Sequence, residues 1–449
     1  MSELRNSWTQ AALEELTIPT EQVEPLPDAT FTYIDIGSVD RQTKRVVSPQ
    51  VLLGKDAPSR ARKLLCQGDT LVSMTRPNLN AVALVGAEHD GHIASTGFDV
   101  LRSPGLDPRW IAYLVRTSEF VTAMSDLVQG ALYPAVSSKH VRAFVAPVAP
   151  RNEQTRIADK LDAVLTRVDA CRERLNRIPA ILKRFRQSVL AAATTGKLTE
   201  EWRTDTGCLS EWQKVCLNDV IVDVRNGMAP KPTETPPGAK ILRISAVRSG
   251  RLDLADHRYL VVTDKDAAQY SLQKHDLLFT RYNGSLEFVG VCASLKHDAK
   301  GYVYPDKLIR VRVKESMAHS EFIEIVFGSE PVRRQIETFI KSSAGQKGIS
   351  GADLKSTRFT LPSLSEQTEI VRRVESLFAN ADRLEARTTA ARAQVERLTP
   401  SLLAKAFRGE LVQQERSDEP ASALLQRIRA QRGDKTTIKP KRGRKGTSV

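Results

Sequence analysis

Apolar residues recur at alternating steps of four and three in two separated stretches of the chain. In the first they fall at Ile157, Leu161, Val164, Val168, Cys171, Leu175 and Ile178. In the second they fall at Ile370, Val374, Leu377, Ala381 and Leu384, then at Thr388, Ala391, Val395 and Leu398. A stripe this narrow keeps facing a partner only if two helices supercoil about each other. The positions between are rich in Arg, Glu, Asp and Lys, as a solvated face requires. The pattern predicts two long helices packed antiparallel on one another. Pro179 and Pro400 are expected to break them, each opening a second, shorter helix. Gly196 and Gly409 suit the left-handed residue that closes a helix.

Elsewhere, short apolar runs predict strands at 31–36, 70–73, 81–85, 240–244, 276–280, 288–292 and 308–313. Helices are expected at 108–118 and at 320–327, the latter running on towards 340. The fold class is therefore α+β: two mixed α/β domains joined by two long coiled-coil helices.

The chain also repeats itself. Glu153-Gln154-Thr155-Arg156-Ile157 returns as Glu366-Gln367-Thr368-Glu369-Ile370. Ser188 to Ala193 returns as Ser401 to Ala406, and Gly196-Lys197-Leu198 returns as Gly409-Glu410-Leu411. The offset is 213 each time, with no gap. A long gapless match marks an internal duplication, and hence a pseudo-twofold arrangement. The segments between are built alike but differ more. Trp8 and Trp212 open the two halves. The runs 69–73 and 276–280 are each followed by Arg-x-Asn, as Arg76-Pro77-Asn78 and Arg281-Tyr282-Asn283. The order is a variable domain (1–150), a helix (151–200), a second variable domain (201–361) and a second helix (362–415). A tail follows (416–449). Its first part reads as a short helix with Leu424, Leu425 and Ile428 on one face. Residues 433–449 are basic, and disorder is expected there.

Composition narrows the partner. The 449 residues carry 67 Lys+Arg against 53 Asp+Glu, a net charge of +14. Such a balance favours a polyanion, nucleic acid or a membrane surface. No apolar run is long enough to span a membrane, and Met1 to Gln10 is polar, so a cytoplasmic location is expected. Cys66, Cys171, Cys208, Cys216 and Cys292 are scattered, which reads as reduced thiols with no metal site. His89 and His92 lie in a loop-like stretch without further ligands nearby.

No catalytic signature stands out. Gly345-Gln346-Lys347-Gly348 is too short for a phosphate loop. Pro236-Pro237 is followed by Gly238, where a methyltransferase motif would need Tyr. Asp418-Glu419-Pro420-Ala421 reads as a turn and helix start. The expectation is no intrinsic catalysis and no cofactor in this chain. DNA reading has positive support. Arg pairs in bidentate fashion with guanine and Asn with adenine. Arg76, Asn78 and Asn80 follow one strand; Arg281, Tyr282 and Asn283 follow its equivalent. A second loop in each domain adds Gln129 and Tyr133, and Gln346 and Lys347. The bland alternative is that the arginines bind phosphate and the asparagines stabilise turns.

The two Glu-Gln-Thr segments, their heptad helices and the endings at 189–198 and 402–411 resemble the specificity subunits of type I restriction–modification systems. The stretches 33–38, 56–62 and 76–80 are also similar to first recognition domains of that family. The resemblance covers almost the whole chain. It implies two target-recognition domains, each reading one half of a split double-stranded DNA sequence. It implies helices that set the spacing and dock two modification (methyltransferase) subunits, with two restriction (motor–nuclease) subunits added. S-adenosylmethionine, ATP and Mg would belong to those partners. The second helix departs from the first at the polar seam position Thr388 and at Arg392, which stands where the first has Pro179. Two other readings stay open: a self-contained nuclease with its own recognition domains, and a coiled-coil adaptor that binds only proteins.

Overall fold

The computed structural model describes residues 7–128, 130, 132–207, 211–229, 231–343 and 346–436. Packing divides the chain into two units, Met1–Asn176 with Ala390–Val449, and Arg177–Thr389. Both cuts fall inside the long helices, so each unit holds the start of one helix and the end of the other.

In the first unit, strand Thr9–Ala12 pairs antiparallel with Val145–Val148. A four-stranded sheet runs in the order Gln50–Leu53, Thr30–Ile34, Ile93–Ser95, Ala61–Leu64. A three-stranded sheet is centred on Thr70–Ser73, between Phe98–Leu101 and Val82–Leu84. The expected helix at 108–118 is two helices, Pro108–Leu114 and Ser118–Asp126. Asp107 caps the first by accepting from the Arg109 amide, with Pro108 in the first turn. Thr117 is extended and caps the second, which forces the break.

The second unit follows the same plan. Gln213–Cys216 pairs with Arg358–Leu361, and Leu277–Thr280 lies between Leu308–Val313 and Cys292–Ser294. The strand expected at 288–292 is instead a 3-10 turn at Leu286–Phe288, with the strand starting at Cys292. The helix expected to run from 320 towards 340 stops at Gly328 and restarts at Glu330. Ser329 is extended, as the residue two before Pro331 in a new first turn permits.

The long helices are Arg151–Thr194 and Leu364–Phe407, each 44 residues and unbroken. Pro179 and Pro400 lie inside them, which overturns the expected breaks. An internal proline costs about 3 kcal/mol. Beyond Pro179, however, Leu182, Val189 and Ala193 are buried, and beyond Pro400, Leu403 and Ala406 are buried. Each large apolar side chain gains about 1.5–3 kcal/mol by burial, so continuing the helix wins. Gly196 and Gly409 follow the helix ends with φ of 77° and 71°, as closing residues should.

The seam also differs from the apolar reading. In the first helix the buried line is Ile157, Ala158, Leu161, Leu165 and Val168, resuming at Leu182, Val189 and Ala193. Arg172, Leu175 and Arg186 fill the heptad positions between and are half-buried, while Val164 and Ile178 flank the line and Cys171 is exposed. In the second helix Ile370, Val374, Ala381 and Thr388 are buried, and Leu377 and Val395 half-buried. Leu384 and Leu398 leave the seam: they are 51% and 45% exposed. In the first unit Arg172 donates to Glu396 at 2.9 Å, and Leu161 and Leu165 share a core with Leu403 and Ala406. In the second unit Arg186 reaches Asp382 at 2.6 Å and Glu385 at 2.8 Å. Both sets of contacts are antiparallel.

The duplicated Glu-Gln pair locks each helix start to its unit. The Trp8 and Trp212 indoles donate to Glu153 and Glu366, both at 3.0 Å. The Gln154 amide accepts from the Asp107 backbone at 3.0 Å and donates to the Ala149 carbonyl at 2.8 Å. Gln367 repeats this, accepting from the His319 backbone at 2.9 Å and donating to Met317 and Pro362.

After the second long helix the chain returns to the first unit. Helix Ala421–Thr436 buries Leu424, Leu425 and Ile428 there, and Arg156 pairs with Asp418. Residues 433–436, expected to be disordered, continue this helix; residues 437–449 lie outside the described residues. Among the described residues no helix is long and apolar enough to cross a membrane.

Candidate nucleic-acid interface

In each unit a buried strand leads into the Arg-x-Asn loop. Thr70–Ser73 is fully buried, so the chain emerges at Arg76 with its direction fixed. Arg76 and Asn80 adopt left-handed conformations, φ 48° and 46°, on either side of a 3-10 turn at Pro77–Leu79. Arg76 and Asn78 point outward and are exposed. Asn80 does not. Its amide donates to the Val115 carbonyl at 2.8 Å, and its side-chain oxygen accepts from Lys44 at 2.9 Å. The structure thus assigns Asn80 to holding the turn.

The second loop of this unit meets the first. The Arg76 amide donates to the Pro134 carbonyl at 2.8 Å, Val136 donates to Met74 at 2.8 Å, and Thr75 bridges Ala135. Tyr133 is 84% exposed beside this junction. Gln129 lies outside the described residues.

In the second unit the same meeting is a small sheet. Tyr282–Asn283 pairs antiparallel with Gln346–Gly348, placing Tyr282 opposite Gly348 and Asn283 opposite Lys347. Lys341–Ser343 completes it. Gln346 is exposed and Lys347 half-buried. The Arg281 guanidinium stacks 4.7 Å from the Tyr282 ring centroid, held also by the Asp306 carbonyl at 3.4 Å. Asn283 accepts from the Ser285 amide at 3.0 Å, an Asx-type turn that occupies its oxygen.

Beside this sheet lies a cleft of about 480 Å³ lined by Arg243, Arg248, Arg258, Asn283 and Lys307, with Asp306. Arg243 and Arg258 share Glu234, whereas Arg248 lies over the Phe288 ring at 4.7 Å. In the first unit Arg41 joins Arg76 around a smaller hollow. These cations escaped sequence reasoning because they come from separate chain segments. The only trace was the overall positive balance.

No group of His, Cys, Asp and Glu suited to a metal occurs among the described residues. Cys66, Cys171, Cys216 and Cys292 are free thiols, while Cys208 lies outside the described residues.

The fold defines a duplicated α+β chain, two mixed units built on paired antiparallel helices. Residues 209–392 match the type I restriction modification DNA specificity domain family. The chain is 45% identical over 332 residues to the type I restriction enzyme EcoKI specificity subunit of Escherichia coli K12, spanning 72% of this chain and 71% of that one. It is 36% identical over 346 residues to the StySPI specificity subunit of Salmonella potsdam, 74% of each. Its fold is similar to that of the HsdS subunit from Thermoanaerobacter tengcongensis, with TM-score 0.61, 24% identity and coverage of 91% and 98%. It is also similar to a chain in a structure of an assembled type I R-M system, with TM-score 0.69, 23% identity and coverage of 91% and 100%. The chain belongs to the specificity subunits of type I restriction–modification systems. Its role is recognition of the DNA target, as a non-catalytic member of the system.

Proposed function

We propose that the chain reads a bipartite double-stranded DNA target, one half-site per unit, through the paired loops that follow the buried strands. The observation that carries this reading is the recurrence of one geometry. In both units the Arg-x-Asn loop is hydrogen-bonded to a second exposed loop, at Arg76 and Pro134 and at Asn283 and Lys347. The two loops present Arg76, Asn78 and Tyr133 in one unit, and Arg281, Tyr282, Gln346 and Lys347 in the other. Their different residues fit different half-sites.

The long helices serve as the scaffold for two modification and two restriction subunits in the cytoplasm. S-adenosylmethionine belongs to the modification subunits, and ATP with Mg to the restriction subunits. The test is a shift assay with the purified chain and duplex DNA at several salt concentrations. Affinity should fall with salt, by a slope of about 0.9 for each phosphate contacted. Absence of binding at low salt would overturn the reading. Cleavage of the duplex by this chain with magnesium alone would favour a self-contained nuclease instead.

A further inference from the structure

The first unit contains a cavity of about 570 Å³ behind its reading loop. It is walled by the hairpin Val39–Asp40 and Arg45–Val46, strand Val82–Leu84, helix Pro108–Leu114 and one face of the first long helix. Arg116, just after that helix, and Lys44, in the hairpin turn, both line it.

Arg116 makes no hydrogen bond or ion pair through its side chain among the described residues, and its Nε is buried without a partner. The Tyr113 ring lies 5.2 Å from its guanidinium carbon, and Asp162 and Asp169 act on it only through their charge, without a hydrogen bond. Three acids line the cavity, and each has another cationic or hydrogen-bonding neighbour: Glu88 lies 3.8 Å from the His89 ring. Asp162 receives Arg109 at 2.6 Å and the Tyr113 hydroxyl, and Asp169 receives Arg172. Arg116 as a whole is half-buried, and a buried guanidinium N–H without an acceptor is costly.

Lys44 is placed there by a built turn. Asp40 accepts from the Gln42 and Thr43 amides at 2.8 and 2.7 Å. Lys44 follows with φ 58°, a left-handed conformation that a side chain other than glycine's rarely adopts. Its ammonium donates to the Asn80 side chain and carbonyl. Burial, and beyond it the charge of Arg116, push this ammonium down to about 8.

The second unit lacks the feature. Asp107 and His319 occupy equivalent N-cap positions, both bonded to the duplicated glutamine, so Arg116 corresponds to Gly328. The hairpin there, Val247–Arg248 and Arg251–Leu252, has a turn two residues shorter and no lysine at its tip. The duplicated fold therefore does not require two half-buried cations at this place.

We propose that this cavity binds a phosphate group, held by Arg116 and Lys44 immediately behind the loop Arg76 to Asn80. A guanidinium fork and an ammonium brought to one cavity by separate chain segments suit a tetrahedral oxyanion with several acceptor oxygens. Two sources share this chemistry: a backbone phosphate of bound DNA and a free phosphate. The first rests on the DNA reading proposed above; the second does not.

The test uses the full chain, the variant Arg116→Met, and Arg116→Lys as the conservative control. Thermal unfolding is followed as inorganic phosphate replaces chloride at constant ionic strength. The expected result is a midpoint that rises with phosphate in the parent, partly in Arg116→Lys, and not in Arg116→Met. In chloride alone Arg116→Met should be at least as stable as the parent, because it removes a half-buried charge whose Nε has no acceptor. DNA affinity against salt then distinguishes the sources. If DNA supplies the phosphate, Arg116→Met lowers the salt slope by about 0.9 and weakens all sequences equally. If the phosphate is free, slope and affinity stay at the parent's values while the thermal response is lost. Equal response of parent and Arg116→Met to phosphate, with an unchanged salt slope, would overturn the site. So would a loss of stability in Arg116→Met in chloride, which would make Arg116 a satisfied structural residue.

Discussion

The Trp8 indole donates a 3.0 Å hydrogen bond to the Glu153 carboxylate, across 145 residues of chain. Both side chains are buried, and the contact fastens the first strand of the unit to the start of the first long helix. Trp8→Phe keeps the ring packing and removes the donor. It should destabilise the first unit by about 1–3 kcal/mol, the cost of an unmet buried partner. Trp212→Phe should do the same to the second unit. Denaturant unfolding followed by a probe in each unit checks both, and a change below the error of the midpoint would show that the contact is dispensable.

Asp107 predicts an acid-sensitive step. Burial raises its carboxyl, but the side chain and amide of Arg109, then Arg151, outweigh that and hold it at about 2. Its unfolded value is near 3.8. Because the folded value is the lower one, its stabilisation is fully present above about pH 4 and lost as pH falls through about 2. Asp107→Asn should lower stability at neutral pH and flatten the fall between those limits. Unfolding midpoints of both proteins across this pH range test it; parallel curves would contradict the assignment.

The structure separates two leucines of the long helices. Leu182 is 6% exposed, while Leu384 is 51% exposed. Leu182→Ala should cost about 2–5 kcal/mol. Leu384→Ala should stay within about 0.5 kcal/mol. Equal effects would return Leu384 to the seam that apolar spacing assigned it.

Much of this architecture was legible in the chain. The gapless repeat at 213 announced the duplication, and the heptads announced the two helices. Register was less legible, because Arg172 and Arg186 occupy seam positions. Arginine can lie along an apolar stripe while its charged end reaches an acid on the partner helix, so a search for apolar residues steps past it. The prolines misled for a related reason. Their local cost is real, but the burial that outweighs it depends on residues far along the chain. At the Arg-x-Asn loops the strands and the exposed Arg76 were foreseeable. The pairing of Asn283 with Lys347 was not, since it joins segments more than 60 residues apart.

In the proposed reading, the loops divide their residues between holding the turn and contacting DNA. Asn80→Ala should loosen the turn that Val115 and Lys44 secure, lowering stability as well as binding. Arg76→Ala should leave folding unchanged, whereas Arg281→Ala also removes the stack on Tyr282 and the bond to Asp306 and should lower stability slightly. If the arginine reads a base, binding should weaken by about 1–3 kcal/mol with one target position relaxed. Competition binding against a library of randomised sites makes the distinction, and a uniform loss across all sequences would make the residue a phosphate contact.

The most direct test of one half-site per unit is an exchange of residues 211–361 for the matching segment of a related specificity subunit. The exchanged chain is assembled with its modification subunits, and methylated sites are mapped by sequencing. The account predicts that one half of the target changes and the other half is retained. A target in which both halves change, or neither does, would contradict it.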